Sequence, residues 1–412
     1  MSNKIPQIRF EGFSDYWEEQ HLSELMDFSN VINAPKEEYG TCEKKISATD
    51  FFENQPTTYN KIGNSVKVKS LPEIENKVEN GDLFFVQSSE VLSDVGWSKA
   101  YLNQDYALNR RFSIRGKKKK EFDTCFVELS LNNKNRKQIE RKVVRSTRFN
   151  ISQSILSSVI ILNPSTSEQE KIGAFFLQID KTVALHQREL ENLKDIKRCF
   201  LQKMFPKADE NVPVFRFPGF TDAWEQCKLD SIVERVTRKN KELESKFLLT
   251  ISADYESVDQ NPFFKKQEES RDISNYYLLK KGEFAYSRSY SSKNPWGTVK
   301  RLEGYEMGAL STMYIIFKPT LVDSNFLVSY FETNQWHKDV SMRAPEGIRN
   351  HGLINISAKD FFNTNVKLPK SIEEQKRIST FFEKLDGTIA LHQKQLNILK
   401  EIKEAFLQKM FV

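Results

Sequence analysis

Apolar residues recur at alternating three- and four-residue steps over two long stretches of the chain. The first runs Ile172, Phe176, Ile179, Val183, then Leu190, Leu193, Ile196, Phe200 and Met204. The second runs Ile378, Phe382, Leu385, Ile389, then Leu396, Leu399, Ile402, Phe406 and Met410. A mean step near 3.5 predicts one continuous seam along each of two helices. Each stretch also opens as helices do. Pro164, Ser165, Thr166 and Ser167 precede Glu168 and Glu170, and Pro369, Lys370 and Ser371 precede Glu373 and Glu374. Small hydroxyl caps are thus followed by acids where the helix dipole favours them. A helix of about 38 residues spans roughly 57 Å. Neither helix can bury its seam alone, so the two are expected to pack on each other, antiparallel, each leaving its own globular neighbour. His186 and His392 interrupt the seam once in each copy. They read as hydrogen-bonded histidines that fix register, ahead of a metal or proton-transfer role, because no Glu-x-x-His pair accompanies either.

Outside these stretches short β-like runs, such as DLFFVQ (82–87) and MYIIF (313–317), alternate with Gly, Asn and Pro. That mixture indicates an α+β fold. The chain is, moreover, written twice. Residues 172–205 and 378–411 are identical at 20 of 34 positions, and RFEGFSDYWE (9–18) returns as RFPGFTDAWE (216–225). A period of about 200 residues is far longer than the ~50 of a solenoid repeat. The organisation expected is therefore two pseudo-two-fold-related globular domains, over 1–164 and 207–368, separated by a long antiparallel two-helix coiled coil formed by 165–206 and 369–412. Such symmetry suits a partner that is itself two-sided, such as a bipartite DNA site.

Composition adds limits. Lys and Arg number 62 against 56 Asp and Glu, a net charge of +6 that is compatible with nucleic acid without pointing to it. Thirty-one Phe in 412 residues argue for packed globular units. No apolar run approaches the ~18 residues of a membrane span, and MSNKIPQIRF lacks the apolar core of a secretion signal. A soluble, cytoplasmic protein without membrane association is expected. Cys42, Cys125, Cys199 and Cys227 are scattered, with no C-x-x-C, which argues against a disulfide framework or a zinc site.

The sequence offers little catalytic chemistry. No G-x-G occurs, so dinucleotide-binding and cofactor-binding glycine loops are missing. Gly347 and Gly352 have phosphate-loop spacing, but Leu353 and Ile354 stand where Lys and Ser/Thr should be. NPFF (261–264) and the Glu-x-Lys of PEIENK (72–77) are faint echoes of methyltransferase and nuclease motifs, without their partners. Five histidines lack any nucleophilic-triad context. A non-enzyme is indicated, with no catalytic residue and no metal site. An enzyme with degenerate motifs, or a coiled-coil assembly protein that never touches DNA, are the alternatives.

Binding chemistry is better represented. AYSRSYSSKNPWGTVKRLEG (285–304) interleaves aromatic residues with Arg288, Ser289, Tyr290, Lys293, Lys300 and Arg301. Cations and hydroxyls hold phosphates, while Arg, Asn and Ser can address base edges. SMRAPEGIRNHGLINIS (341–357) places Arg343, Arg349 and His351 on a Gly/Pro-bearing loop. Aligning Asn150-Ile151-Ser152 with Asn355-Ile356-Ser357 supplies its first-half counterpart, with Arg141, Lys142, Arg145 and Arg148. Lys117–Lys120 reads as a charged hairpin or loop tip instead.

Taken together these features resemble the specificity (S) subunit of type I restriction–modification systems, over essentially the whole length. The match is carried by Trp17-Glu18…Leu22 and Trp224-Glu225…Leu229, by KKGEFAYSRS (280–289) and GALSTMYIIF (308–317), and by EQEKIGAFFLQID and EEQKRISTFFEKLD, each followed by LHQ. The first half departs from the second: Gln87, Ser88 and Ser89 stand opposite Arg288, Ser289 and Tyr290, and Asn109, Arg110 and Arg111 replace Ser311-Thr312-Met313. Arg110 and Arg111 join the candidate DNA contacts. The resemblance implies a non-catalytic DNA reader whose two recognition domains each address one half of a split, asymmetric target in double-stranded DNA. It implies helices that set the spacer and dock two modification (methyltransferase) subunits, through the seam-bearing residues Ile172, Phe176, Ile179, Val183, His186 and Leu190 and their copies Ile378, Phe382, Leu385, Ile389, His392 and Leu396. Restriction (translocase/endonuclease) subunits would join that complex. S-adenosylmethionine, ATP and Mg would reside on the partner subunits, none of them on this chain.

Overall fold

The computed structural model describes residues 4–30, 43–45, 62, 64–66, 77–108, 113–145, 147–207, 209–251, 264–267, 273–292, 294–344, 348–349 and 352–412, with 43–45, 64–66, 108, 145, 264–267 and 348–349 described by backbone alone. They form two compact units: Met1–Gln187 with Leu396–Val412, and Arg188–Gln395. The long helices are Thr166–Lys203 and Ile372–Met410, 38 and 39 residues. Each unit therefore holds a segment of both, and the globular parts are α+β.

In the first unit four antiparallel strands lie in the order Met26–Asn30, Ser113–Lys118, Leu83–Val86, Ser98–Ala100. The second unit repeats that order with Val233–Val236, Ile315–Pro319, Phe284–Ser287 and Thr298–Arg301. The central strand of each sheet, Leu-Phe-Phe-Val in the first unit and Phe-Ala-Tyr-Ser in the second, is buried at every position. It is entered through a glycine with φ near +90°, Gly81 or Gly282, a conformation that a side chain resists. A second four-stranded sheet completes each unit, and a two-stranded one (Glu18–His21 with Ile160–Asn163; Glu225–Lys228 with Asn365–Leu368) leads into the long helix.

The entry to each long helix is fixed by the same polar device. Gln169 donates to the carbonyl of Pro164 and accepts from the amide of Asp123; Gln375 does so with Pro369 and Asp323. Those aspartates in turn cap the helices Thr124–Asn132 and Ser324–Phe331, accepting from Phe126 and Phe326. Arg9 and Arg216, from the two copies of the opening motif, each grip a buried glutamate, Glu168 and Glu374, with two bonds of 2.7–2.8 Å.

The helix segments run antiparallel inside each unit. In the first unit Phe406 and Phe411 meet Phe175 and Phe176; in the second Phe200 and Phe205 meet Phe381 and Phe382. The opening four positions of the expected seam divide differently from a simple coiled coil. Ile172 and Phe176 belong to the core of the first unit, and Ile378 and Phe382 to that of the second. Val183, Leu190, Ile389 and Leu396 are buried, and Ile179 and Leu385 half-buried. Ile196 and Ile402, also expected in the seam, are 45% and 41% exposed. Among the described residues no helix is long and apolar enough to cross a membrane.

Candidate nucleic-acid interface

The two basic segments of the second half meet at one edge of their unit. Beyond Ser287 the central strand runs on through Arg288, Ser289 and Tyr290. Ile354 donates to the Arg288 carbonyl at 2.8 Å, Ser289 bridges to Leu353, and Tyr290 donates to the Gly352 carbonyl at 2.8 Å. Leu353–Ile354 pairs in turn with Ile348–Arg349. Tyr286 anchors this edge from below, stacked on Phe361 at 4.3 Å with its hydroxyl donating to the Trp296 carbonyl. Gly297 lets the return strand come close, since a Cβ there would sit 2.3 Å from the Ser287 oxygen.

The first unit builds the same frame from different side chains. The chain leaves Val86 through Gln87 into Ser88–Ser89, Ile151 donates to the Gln87 carbonyl, and Ser88–Ser89 pairs with Phe149–Asn150, which pairs with Val144–Arg145. By these pairings Ser88 and Ser89 occupy the places of Ser289 and Tyr290, and Asn150 that of Leu353. The correspondence of Ser88 and Ser89 with Ser289 and Tyr290 was legible in the sequence, whereas the shared Asn-Ile-Ser aligns Asn150 two residues away from its place in the strand register.

The candidate contacts divide sharply by surroundings. Ser289 and Tyr290 are exposed, Tyr290 by 44%. Arg288 is half-buried and spends its guanidinium on the carbonyls of Met313 and Ile356, at 3.0 and 3.2 Å, so it braces the edge. Arg343 is half-buried at the end of the helix Gln335–Arg343. Arg141 is exposed, Arg148 is paired with Glu90 at 3.6 Å on the surface, and Lys142 donates to Ser158. For Arg145 and Arg349 the backbone alone is described, and Arg110, Arg111, Lys293 and His351 lie outside the described residues.

Two expected contacts are corrected. Arg301 is held by Glu303, Ser324 and Asn325. Lys300 points to the opposite face of its strand, towards Glu332, Lys197 and Asp386, where burial lowers its pKa. Alternation along a strand sends neighbouring side chains apart, and a basic pair read as one patch was in fact two internal contacts. The Lys117–Lys120 run is a strand end whose lysines pair with Glu79, Glu121, Asp27 and Glu24. The seam histidine His392 is half-buried, its Nδ1 3.7 Å from the Glu189 carboxylate on the neighbouring helix.

The frame, an exposed polar strand edge beside a two-stranded hairpin, is suited to groove contact. Its side chains carry hydroxyl, amide and aromatic groups, with cations set around them. The chain matches the family described as the type I restriction modification DNA specificity domain twice, over residues 15–195 and 221–401. Its fold is similar to that of the type I restriction–modification S subunit from M. genitalium, at a TM-score of 0.55 and 17% identity, with 99% of each chain covered. The HsdS subunit from Thermoanaerobacter tengcongensis aligns over 96% of each chain at 15% identity and a TM-score of 0.42. No curated protein is a significant match in sequence. Two copies of the domain account for most of the chain, which belongs to the type I restriction–modification specificity family and has the role of its DNA-specificity subunit.

Proposed function

We propose that each unit reads one half of a two-part, asymmetric sequence in double-stranded DNA, and that the long helices set the gap and dock two modification subunits. The chain itself carries no catalysis in this reading. S-adenosylmethionine, ATP and Mg are held by the modification and restriction subunits, and the complex works in the cytoplasm. The observation that carries the reading is the pair of matched edges with unmatched side chains. Gln87-Ser88-Ser89 and Arg288-Ser289-Tyr290 occupy the same backbone positions in their two units. An identical frame with different polar groups presents different donor and acceptor patterns, which is what two unlike half-sites require.

Leu185 and Leu391, exposed by 57% and 55% at matching positions of the two helices, offer each modification subunit the same apolar contact. The test is the N6-methyladenine pattern of the host genome with and without this chain. Methylation of one split motif should vanish on deletion. It should return with a changed half-site when residues 77–163 are replaced by the matching region of a relative with another target. An unchanged methylome would refute the reading.

A further inference from the structure

Each unit gathers a set of four largely shielded charges where its globular part meets its two helix segments, Asp386 being the most exposed of them. In the second unit Lys197, on the first long helix, lies 2.8 Å from Glu332 of the globular part and 2.6 Å from Asp386 on the second long helix. Lys300, on the edge strand Thr298–Arg301, faces the same three groups. In the first unit the set is Lys403, Asp180, Glu128 and Lys99. Lys403 binds Asp180 across the helices, and Lys99, on the edge strand Ser98–Ala100, lies 3.4 Å from Glu128.

Three of the four members correspond by place. Lys197 and Lys403 differ by 206, as do Asp180 and Asp386, and Lys99 and Lys300 hold the same register against the central strand. The glutamates do not correspond. Counted from the capping aspartates Asp123 and Asp323, the place of Glu128 is taken by Val328 and that of Glu332 by Asn132. The same charge is thus supplied from inside the helix in the first unit and from the C-cap of the equivalent helix in the second. What the two units share is the charge arrangement, two cations and two anions drawn from four elements, and not the local packing.

Shielding four charges even in part costs solvation that an apolar junction would not, so stability is a poor reason for the arrangement. Its distinguishing property is direction. Apolar contact is non-directional and tolerates sliding, whereas ion pairs with fixed partners hold one angle. We propose that the two charge sets are orientation locks, fixing how each globular part is rotated on its helix segments and so how strictly the complex measures the gap between half-sites. This rests on the two-half-site reading above. Adding one base pair to the gap moves a half-site by about 3.4 Å and turns it by about 34°. A reader that tolerates this must let its globular part rotate; one that refuses it must hold the angle.

The experiment uses the assembled methyltransferase complex with the full chain, and labelled duplexes carrying its own methylated motif at the native gap and at one base pair less or more. Wild-type protein should prefer the native gap by about tenfold or more. Exchanging the helix pair alone, Lys197→Asp with Asp386→Lys, sets like charges against Glu332 and Lys300. The gap preference should then fall to within about threefold while a scrambled half-site still costs as much as before. Adding Glu332→Lys and Lys300→Glu, which exchanges all four charges, should restore the preference. Lys300→Met, close in shape, should weaken it partially even if the helix-pair exchange does not fold. Undiminished gap preference in the folded variants overturns the lock. So does a parallel loss of gap preference and half-site discrimination, which would mean general damage. A wild-type complex that selects no two-part sequence refutes the functional reading first, and the lock with it.

Discussion

At the scale of single residues, the two halves solve one problem in two ways, and the solutions are not interchangeable. Ser379 donates from its hydroxyl to the Asp323 carboxylate at 3.1 Å. Its counterpart, Gly173, lies so close to Asp123 that a Cβ would stand 2.0 Å from Oδ1. Asp123 yields little, because it is half-buried, which pushes its carboxyl up, and it is committed to capping Phe126. Gly173→Ser should therefore destabilise the first unit by about 1–3 kcal/mol, despite the ~0.5–1 kcal/mol that replacing a mid-helix glycine returns. A raised or unchanged midpoint in urea, followed by Trp17 and Trp97 fluorescence, would refute this. His337 gives a pH handle on the second unit. Burial lowers its pKa to about 4 from an ordinary 6.5, so the fold prefers the neutral ring. Above about pH 6.5 the ring is neutral folded or unfolded and its contribution is intact. Between about 6.5 and 4 only the unfolded chain takes up the proton, and stability falls. The loss should reach about 1–2 kcal/mol for a half-buried, partly screened ring. Wild type should lose midpoint relative to His337→Gln on going from pH 7 to 4.5; parallel curves would exclude the effect.

At the scale of elements, the long helices were legible because a repeat sustained over many turns leaves few alternatives, and their observed bounds lie within a few residues of the expected ones. Ile196 and Ile402 lie exposed between seam positions that are buried, Leu190 and Met204 in one helix and Leu396 and Met410 in the other, so the period alone did not mark them as exposed. The short strands were less legible. Ser88–Ser89 and Ile348–Arg349 are two residues each, and only their pairing partners, distant in sequence, make them strands. The same blindness to facing direction made Lys300 and Arg301 look like surface cations. The division of each helix between the units makes one insertion experiment clean. Four residues added after Gln187 and four after Gln395 fall between the segments assigned to the two units, so the contacts within each unit are untouched. The gap in the methylated motif should lengthen by about one to two base pairs, from ~6 Å of added helix, with both half-sites unchanged. Altered half-sites at a constant gap would contradict the spacer role.

At the scale of the whole molecule, the first unit is closed by the last residues of the chain. Phe411 stacks on Phe126 at 5.3 Å and meets Trp17 and Phe176 edge-on or tilted, and Lys409 accepts from the amide of Ile8. In the second unit Phe205, Trp224, Phe326 and Phe382 make the corresponding cluster from residues that end at 395. A chain ending at Gln395 should therefore lose hydrogen-exchange protection across the first unit while the second keeps it. Phe411→Ala alone should cost about 3–5 kcal/mol. Equal protection of both units in the shortened chain would show that the terminal segment is dispensable.

The closing contact at Phe411 also governs birth. On the ribosome the second unit can complete itself as soon as its own stretch has emerged, but the first, although begun earlier, must wait for residues 396–412. A message cut short before residue 396 thus yields a first unit without its closing segment. In a DNA-specificity subunit, this ties the folding of the first unit to the synthesis of residues 396–412, so that a product lacking them carries at most half an address.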